Sequence, residues 1–277
     1  MATIVVVLHA ADDPNAGGYM ISRFYKSWLE AGHKVLVSSG EHGHPAGDIA
    51  ALHVDMSIVP ESYRVSATNL FPLVINGRAV DIRKRMVSRH LVTLGDGWHG
   101  PVIVKTDLNC GGIPEWCLYQ IGLRTGRSAS PARPPTLDNY RVYQRADEVP
   151  DAVWNDPALV VEQFLPERDK LGFSLRCWIF LGDRERCTRY WSNEPIIKSS
   201  NIKAKEPSPV PDELREARER LGFDYGKFDF AMHDGKPILF DTNKTPGTPP
   251  AGPEYDASNA MIAGGLDWFL KKLRGTP

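Results

Sequence analysis

The stretch from Lys227 to Gly247, KFDFAMHDGKPILFDTNKTPG, restricts what this chain can fold into more than any other. Two runs rich in aromatic and β-forming residues, Lys227 to Met232 and Pro237 to Asp241, flank an Asp234-Gly235 turn, and that pattern reads as a β-hairpin. Register decides what the hairpin can do. A two-residue Asp-Gly loop sets Asp229 opposite Phe240 and Asp241 opposite Phe228, so the carboxylates leave opposite faces of the sheet. A three-residue loop, Asp234 to Lys236, makes Asp229 and Asp241 direct cross-strand neighbours and puts Asn243 on their face. In that register three oxygen donors suit Mg²⁺, which keeps some waters and completes its shell with substrate phosphates. With the carboxylates splayed, this is an exposed hairpin carrying solvated acids.

Upstream lie other segments with chemical content. PVIVKTDLNCGG (Pro101 to Gly112) is an apolar strand ending in Lys105 and followed by a loop whose Gly111 and Gly112 let backbone N–H groups approach phosphate oxygens. LVVEQFLPERD (Leu159 to Asp169) is a second apolar strand, closed by acids. DIRKRMVSRHLV (Asp81 to Val92) carries Lys84 in a basic run of the kind that usually forms a solvated helix face. In GFSLRCWIFLGDRERCTRYW (Gly172 to Trp191), two strands flank Gly182-Asp183, and Arg176 sits in an otherwise apolar strand where a guanidinium needs an anionic partner.

The paired acid followed by acid-x-Asn and Pro-Gly resembles the C-terminal signature of the ATP-grasp superfamily, and the upstream segments occur in that family's order. The resemblance covers roughly residues 80–250 and implies an ATP-grasp core, α/β in class with an α+β core, preceded by a small Rossmann-like domain. It implies that Lys84 and Lys105 meet phosphate. It makes Glu162 the acceptor of the adenine amino group, with Gln163, Phe164 and Leu165 reading the ring edge. Glu167 or Asp169 then meets the ribose, Glu167 being preferred. Asp229, Asp241 and Asn243 would hold one or two Mg²⁺, with Mn²⁺ as a substitute. Arg176 resembles the arginine that meets the transferred phosphoryl group, and Lys198 and Asn201 resemble positions that close over the γ-phosphate or a second metal. Two departures stand out: Asp241 replaces a more usual glutamate, and the phosphate loop matches no specific acid-binding variant.

Length and composition agree. A chain of 277 residues buries a substantial core in one or two domains. The expected division is 1–77 for the first domain and 78–277 for the core, with lobes 78–161 and 162–277. A net charge of −1 argues against a nucleic-acid stripe. Hydrophobic content is 42%, yet no apolar run reaches spanning length and residues 1–9 lack a basic leader, so a cytoplasmic protein without a membrane partner is expected. Cys110, Cys117, Cys177 and Cys187 form no CxxC pair, which speaks against zinc and a disulfide framework.

TIVVVLHA (Thr3 to Ala10) reads as a strand buried on both faces, with helical spacing of Met20, Phe24, Trp28 and Leu29 after it and HKVLVSS as a second strand. This opening suits a small doubly wound domain without GxGxxG. His53 and Asp55 alternate in ALHVDMS, either lining an acceptor pocket or forming a satisfied surface pair. Gly122 to Thr136 and Lys198 to Pro211 read as long loops, the first carrying Arg124, Arg127 and Arg133 within reach of an anionic substrate. Asp212 to Leu221 reads as a helix stopped by Gly222.

The resemblance implies ATP-dependent activation of a small-molecule carboxylate as an acyl phosphate, which an amine or thiol then attacks. Catalysis of that kind rests on positioning and cations, here Lys105, Arg176 and Lys198, without an enzyme nucleophile. The metal clamp serves equally a kinase acting on an alcohol, and a nucleotide-binding protein without turnover is the third reading. A homodimer is compatible with the sequence, but no segment signals an interface.

Overall fold

The computed structural model describes residues 1–13, 18–135, 140–248 and 252–275. Thr136, the last residue of the first stretch read as a long loop, lies outside the described residues.

The first domain is a parallel sheet with helices on it. Its elements are β1 (Thr3–Leu8), α1 (Met20–Glu30), β2 (Lys34–Ser39), β3 (Ile49–Leu52), α2 (Glu61–Leu70) and β4 (Val74–Ile75), in strand order β2-β1-β3-β4. The apolar run in β1 is buried on both sides, as expected. Ile4, Val6 and Leu8 pack with Phe24 and Trp28 of α1, while Val5 and Val7 face Tyr63 and Ala67 of α2. Chain reversal into the core uses Asn76, which adopts φ 62° and whose side chain accepts from the Asp224 and Tyr225 amides at 2.9 Å.

The core begins with α3 (Lys84–Val87), a single turn, and then β5 (Val102–Thr106), α4 (Ile113–Thr125), β6 (Arg141–Tyr143), α5 (Asp151–Trp154) and β7 (Leu159–Gln163). β5 lies between β6 and β7 in an antiparallel sheet. The expected lobe boundary at 161/162 therefore falls inside β7, whose Glu162 is still paired opposite Ile103.

A larger antiparallel sheet follows, built from β8 (Glu167–Asp169), β9 (Gly172–Leu181), β10 (Arg184–Ser192), β11 (Ala204–Pro207), β12 (Tyr225–His233) and β13 (Lys236–Asn243), with α6 (Asp212–Arg220) before β12. Strand order is β11-β10-β9-β12-β13, with β8 beside one end of β9. The two stretches read as long loops are partly regular: α4 runs on to Thr125, and Ala204–Pro207 pairs with β10. Finally α7 (Pro253–Ala263) and α8 (Leu266–Leu273) return to the first domain. Ile262, Leu266 and Phe269 share a core with Phe24 and Ile4, and Trp28 Nε1 donates to the Ala263 carbonyl at 2.9 Å. The first domain is thus completed by the chain's last helices. No described helix is long and apolar enough to cross a membrane.

Candidate active site

The hairpin reaches its register by a different route from the one the sequence suggests. His233 opposes Lys236, so the loop holds two residues, Asp234 and Gly235, at φ 48° and 77°. Continued without interruption, that pairing splays the carboxylates. A β-bulge corrects it: Phe230 opposes Leu239, Asp229 opposes Asp241, and Phe240 is the extra residue. Lys227 then opposes Asn243, two residues along on the face shared by Asp229 and Asp241. Pro237 is tolerated near the start of β13 because that strand is a sheet edge.

Cations surround this face. Lys227 Nζ lies 2.7 Å from Asp229 Oδ2, and Lys84 Nζ lies 3.5 Å from Asp241 Oδ1 and from the Leu108 carbonyl oxygen. Burial opposes the charge on both ammoniums, but the negative neighbours, Asp229 for Lys227 and Asp241 for Lys84, outweigh it and hold both above the ordinary lysine value. Lys105, delivered by β5, contacts the bulge itself, its Nζ being 3.4 Å from the Phe240 carbonyl oxygen. It is also 2.6 Å from Glu162 Oε2, while Glu162 Oε1 is buried without a partner.

Two cavities meet here. A small one, 170 Å³, is lined by Lys84, Lys105, Phe164, Asp229, Phe240 and Asp241. A larger one, 760 Å³, is lined by the loop residues Cys110, Gly111 and Gly112 together with Glu115, Arg133 and Lys198, and shares Lys105 with the first. Cys110, Gly111 and Gly112 all have positive φ, 47°, 68° and 81°, and open directly into α4.

The donor set fits a hard divalent cation. Asp229 and Asp241, directly opposite one another and each beside a lysine, offer carboxylate oxygens on one face, and Asn243 adds a neutral oxygen. Among the described residues no group of three or more His, Cys, Asp or Glu could hold a metal, so a cation at Asp229 and Asp241 needs Asn243 and substrate oxygens. Asn243 Oδ1 already accepts from the Thr245 amide at 2.8 Å.

Other residues singled out in the sequence lie differently. Arg176 is the main correction. It opposes Phe230, whereas Cys177 opposes Asp229, so the period of two sends Arg176 to the other face of the sheet. Its anionic partner there is Glu167, and its Nε donates to Ser208 at 3.0 Å. Glu167 is saturated in turn, meeting Arg189 at 2.7 Å and the Met232 amide at 2.8 Å. Asp169 meets Arg189 at 2.7 Å and the Trp191 indole at 3.1 Å. Neither acid lines the small cavity. In the hinge, the amides of Gln163 and Phe164 donate to His90 and Pro101, whereas the Leu165 amide has no acceptor among the described residues. Lys198 is exposed and lines the larger cavity; Asn201 is held by the Lys198 amide and by Glu194. Lys227 joins the site as well, and its position two residues before Asp229 is the sequence signal for it.

No protein-family model matches the chain, and no curated protein matches it by sequence. Solved structures do match along nearly their whole length. D-alanine–D-alanine ligase from Bacillus anthracis is 14% identical with a TM-score of 0.50, covering 98% of this chain and 97% of that one. D-cycloserine synthetase DcsG is 12% identical at 0.54, covering 98% and 99%. A RimK domain ATP-grasp protein from Sphaerobacter thermophilus is 15% identical at 0.53, covering 95% and 98%. Similarity at this level of identity concerns the fold, and with this sheet order and this cleft it leads to one conclusion: the chain has the ATP-grasp fold.

Proposed function

We propose that this protein is an ATP- and Mg²⁺-dependent ligase that activates a small-molecule carboxylate as an acyl phosphate for attack by an amine. The observation carrying this reading is the convergence of buried Lys84 and Lys105 with the opposed Asp229 and Asp241 around one 170 Å³ cavity. Two matched structures of the same fold are by name a ligase and a synthetase, which supports the reaction class.

In this reading the adenine ring enters the small cavity beside Gln163 and Phe164. These are the neighbours of Glu162, whose Oε1 has no partner, and of Leu165, whose amide has no acceptor among the described residues, although neither Glu162 nor Leu165 lines the cavity. Lys84 and Lys105 hold the phosphates, and Gly111 and Gly112, which line the larger cavity, offer backbone N–H groups to them. Asp229, Asp241 and Asn243 would hold Mg²⁺, which would neutralise charge on the phosphates. A carboxylate oxygen takes the γ-phosphoryl group as ADP leaves; the amine then displaces phosphate and loses a proton. Lys227 is placed to stabilise charge developing beside Asp229. Lys198 and Arg133 line the larger cavity together with the phosphate loop and contribute positive charge there.

The test is ADP release from the purified chain with ATP, Mg²⁺ and a panel of carboxylates, with and without added amines. Phosphate release that requires both substrates supports the ligase. A stable phosphorylated alcohol instead identifies a kinase, and tight ATP binding without any turnover identifies a binding protein.

A further inference from the structure

Beyond the metal face, three acids gather where the first domain meets the end of the hairpin. Asp12 is buried, 6% exposed, Asp55 is half-buried, and Glu115 is buried, 8% exposed. Burial pushes the Asp55 carboxyl upward; the Thr245 hydroxyl and the Lys244 ammonium pull it back, and Asp12 and Glu115 lie close enough to add smaller upward pushes. Their neutralisation is incomplete. Tyr19 Oη contacts Asp12 Oδ2 at 2.9 Å and Asp55 Oδ2 at 3.3 Å, but a phenol has one proton and donates to one carboxylate at a time. Asp55 Oδ1 accepts from the Thr245 hydroxyl, and Glu115 Oε1 accepts from the Ser57 amide at 2.6 Å. Glu115 Oε2 is buried with no partner, and its residue lines the larger cavity.

Two cations stand near. Lys244 is 1% exposed and donates to the Met56 carbonyl, and exposed Arg127 donates to the main-chain carbonyl of Asp12 at 3.2 Å; neither hydrogen-bonds a carboxylate of the trio. An independent sign comes from His53, 1% exposed, edge-on to Tyr19 at 4.7 Å, with both ring nitrogens unpartnered. Of these unpartnered groups, Glu115 Oε2 belongs to a residue of the cavity wall, where a ligand can supply the missing hydrogen bond. The trio is not a metal site, since no described group of three such side chains could hold an ion. An organic cation, broader than a metal ion, suits carboxylates spread this way.

We infer that Asp12, Asp55 and Glu115 form the acceptor subsite and that the acceptor is an amine carrying positive charge, recognised as its ammonium, rather than an acidic amino compound. This rests on the ligase reading and narrows its substrate class. The path is short: Asp55 is bonded to Thr245, whose amide is bonded to Asn243 of the metal face. An ammonium arriving here gives up a proton to a carboxylate already pushed upward by burial, and the neutral amine then attacks the acyl carbon.

The test is equilibrium binding to the full chain by calorimetry, with an ATP analogue and Mg²⁺ present, comparing glycinamide, propionamide and glutamate. Glycinamide should bind saturably while propionamide, of the same shape without the ammonium, and glutamate bind at least about tenfold more weakly, the value of one charged hydrogen bond. Asp55→Asn and Glu115→Gln preserve their existing acceptor oxygens; each should weaken glycinamide by about tenfold. Circular dichroism and ATP-analogue affinity report whether the variants remain folded. Equal binding of glycinamide and propionamide, no binding of glycinamide while the analogue binds, or unchanged affinity in both folded variants overturns the inference. Failure of the analogue itself to bind defeats the ligase reading instead, and the two outcomes are read separately.

Discussion

Lys105 Nζ and Glu162 Oε2 lie 2.6 Å apart on adjacent strands β5 and β7, both side chains nearly inaccessible to water. A buried pair of this kind contributes little net stability, but removing one partner strands the other charge in a low dielectric. Lys105→Met and Glu162→Leu should each cost about 3–5 kcal/mol in urea unfolding, and the double variant less than their sum. Additive losses would show that the two charges do not depend on one another.

Asp229 and Asp241 oppose each other across a bulge, and the proposed role for them is metal binding. Asp241→Asn should leave the fold intact and raise the Mg²⁺ concentration for half-maximal ADP formation by more than about 10–100-fold, the range seen for mere outer-shell partners. Mg²⁺ titration of the rate checks this. An unchanged Mg²⁺ dependence in a folded variant removes the metal assignment.

The hairpin was legible because its turn and its strands have strong local chemistry, and the first domain because β1 is apolar throughout. The bulge was not, since an extra residue opposite Asp229 is fixed by tertiary pairing and Phe240 carries no mark of it. The need of Arg176 for an anion is legible in the sequence and is real, but Glu167 meets it on the opposite face, which only the β9–β12 register reveals. Lys227 carries no signal of its own, because a lysine at a strand start is unremarkable until Asp229 is known to share its face. The acidic trio was illegible as a unit, since 12, 55 and 115 are joined only by the packing of the first domain on α4.

Cys110 lines the larger cavity and lies in the fields of Asp241 and Lys84, with burial the first reason its thiol is pushed upward. Iodoacetamide labelling at this residue should therefore be slow at neutral pH and faster in alkali. An ATP analogue with Mg²⁺ should protect it, while Cys117, which does not line either cavity, stays unprotected. Peptide mass spectrometry gives both rates in one sample. Equal labelling of the two cysteines with and without nucleotide would place the phosphates elsewhere.

Lys244 follows Asn243 directly and is completely enclosed, which pushes its ammonium down to about 8, with Asp55 and Glu115 acting in the other direction. Between that value and the usual lysine range the unfolded chain holds a proton that the folded chain has released. Stability therefore rises with pH through this window, and below it the folded state bears the cost of a buried charge. Lys244→Met removes that cost, so the variant should gain on wild type at pH 7 and lose its advantage by about pH 10. The whole change is up to about 3 kcal/mol, at 1.36 kcal/mol per unit. Cys177 and Cys187, raised to about 12 and about 11 mainly by burial, lower stability in alkali in both proteins and cancel in the difference. Urea unfolding of the pair at several pH values measures it, and a difference that does not vary with pH would mean that the Lys244 ammonium keeps its proton through this range in the folded protein.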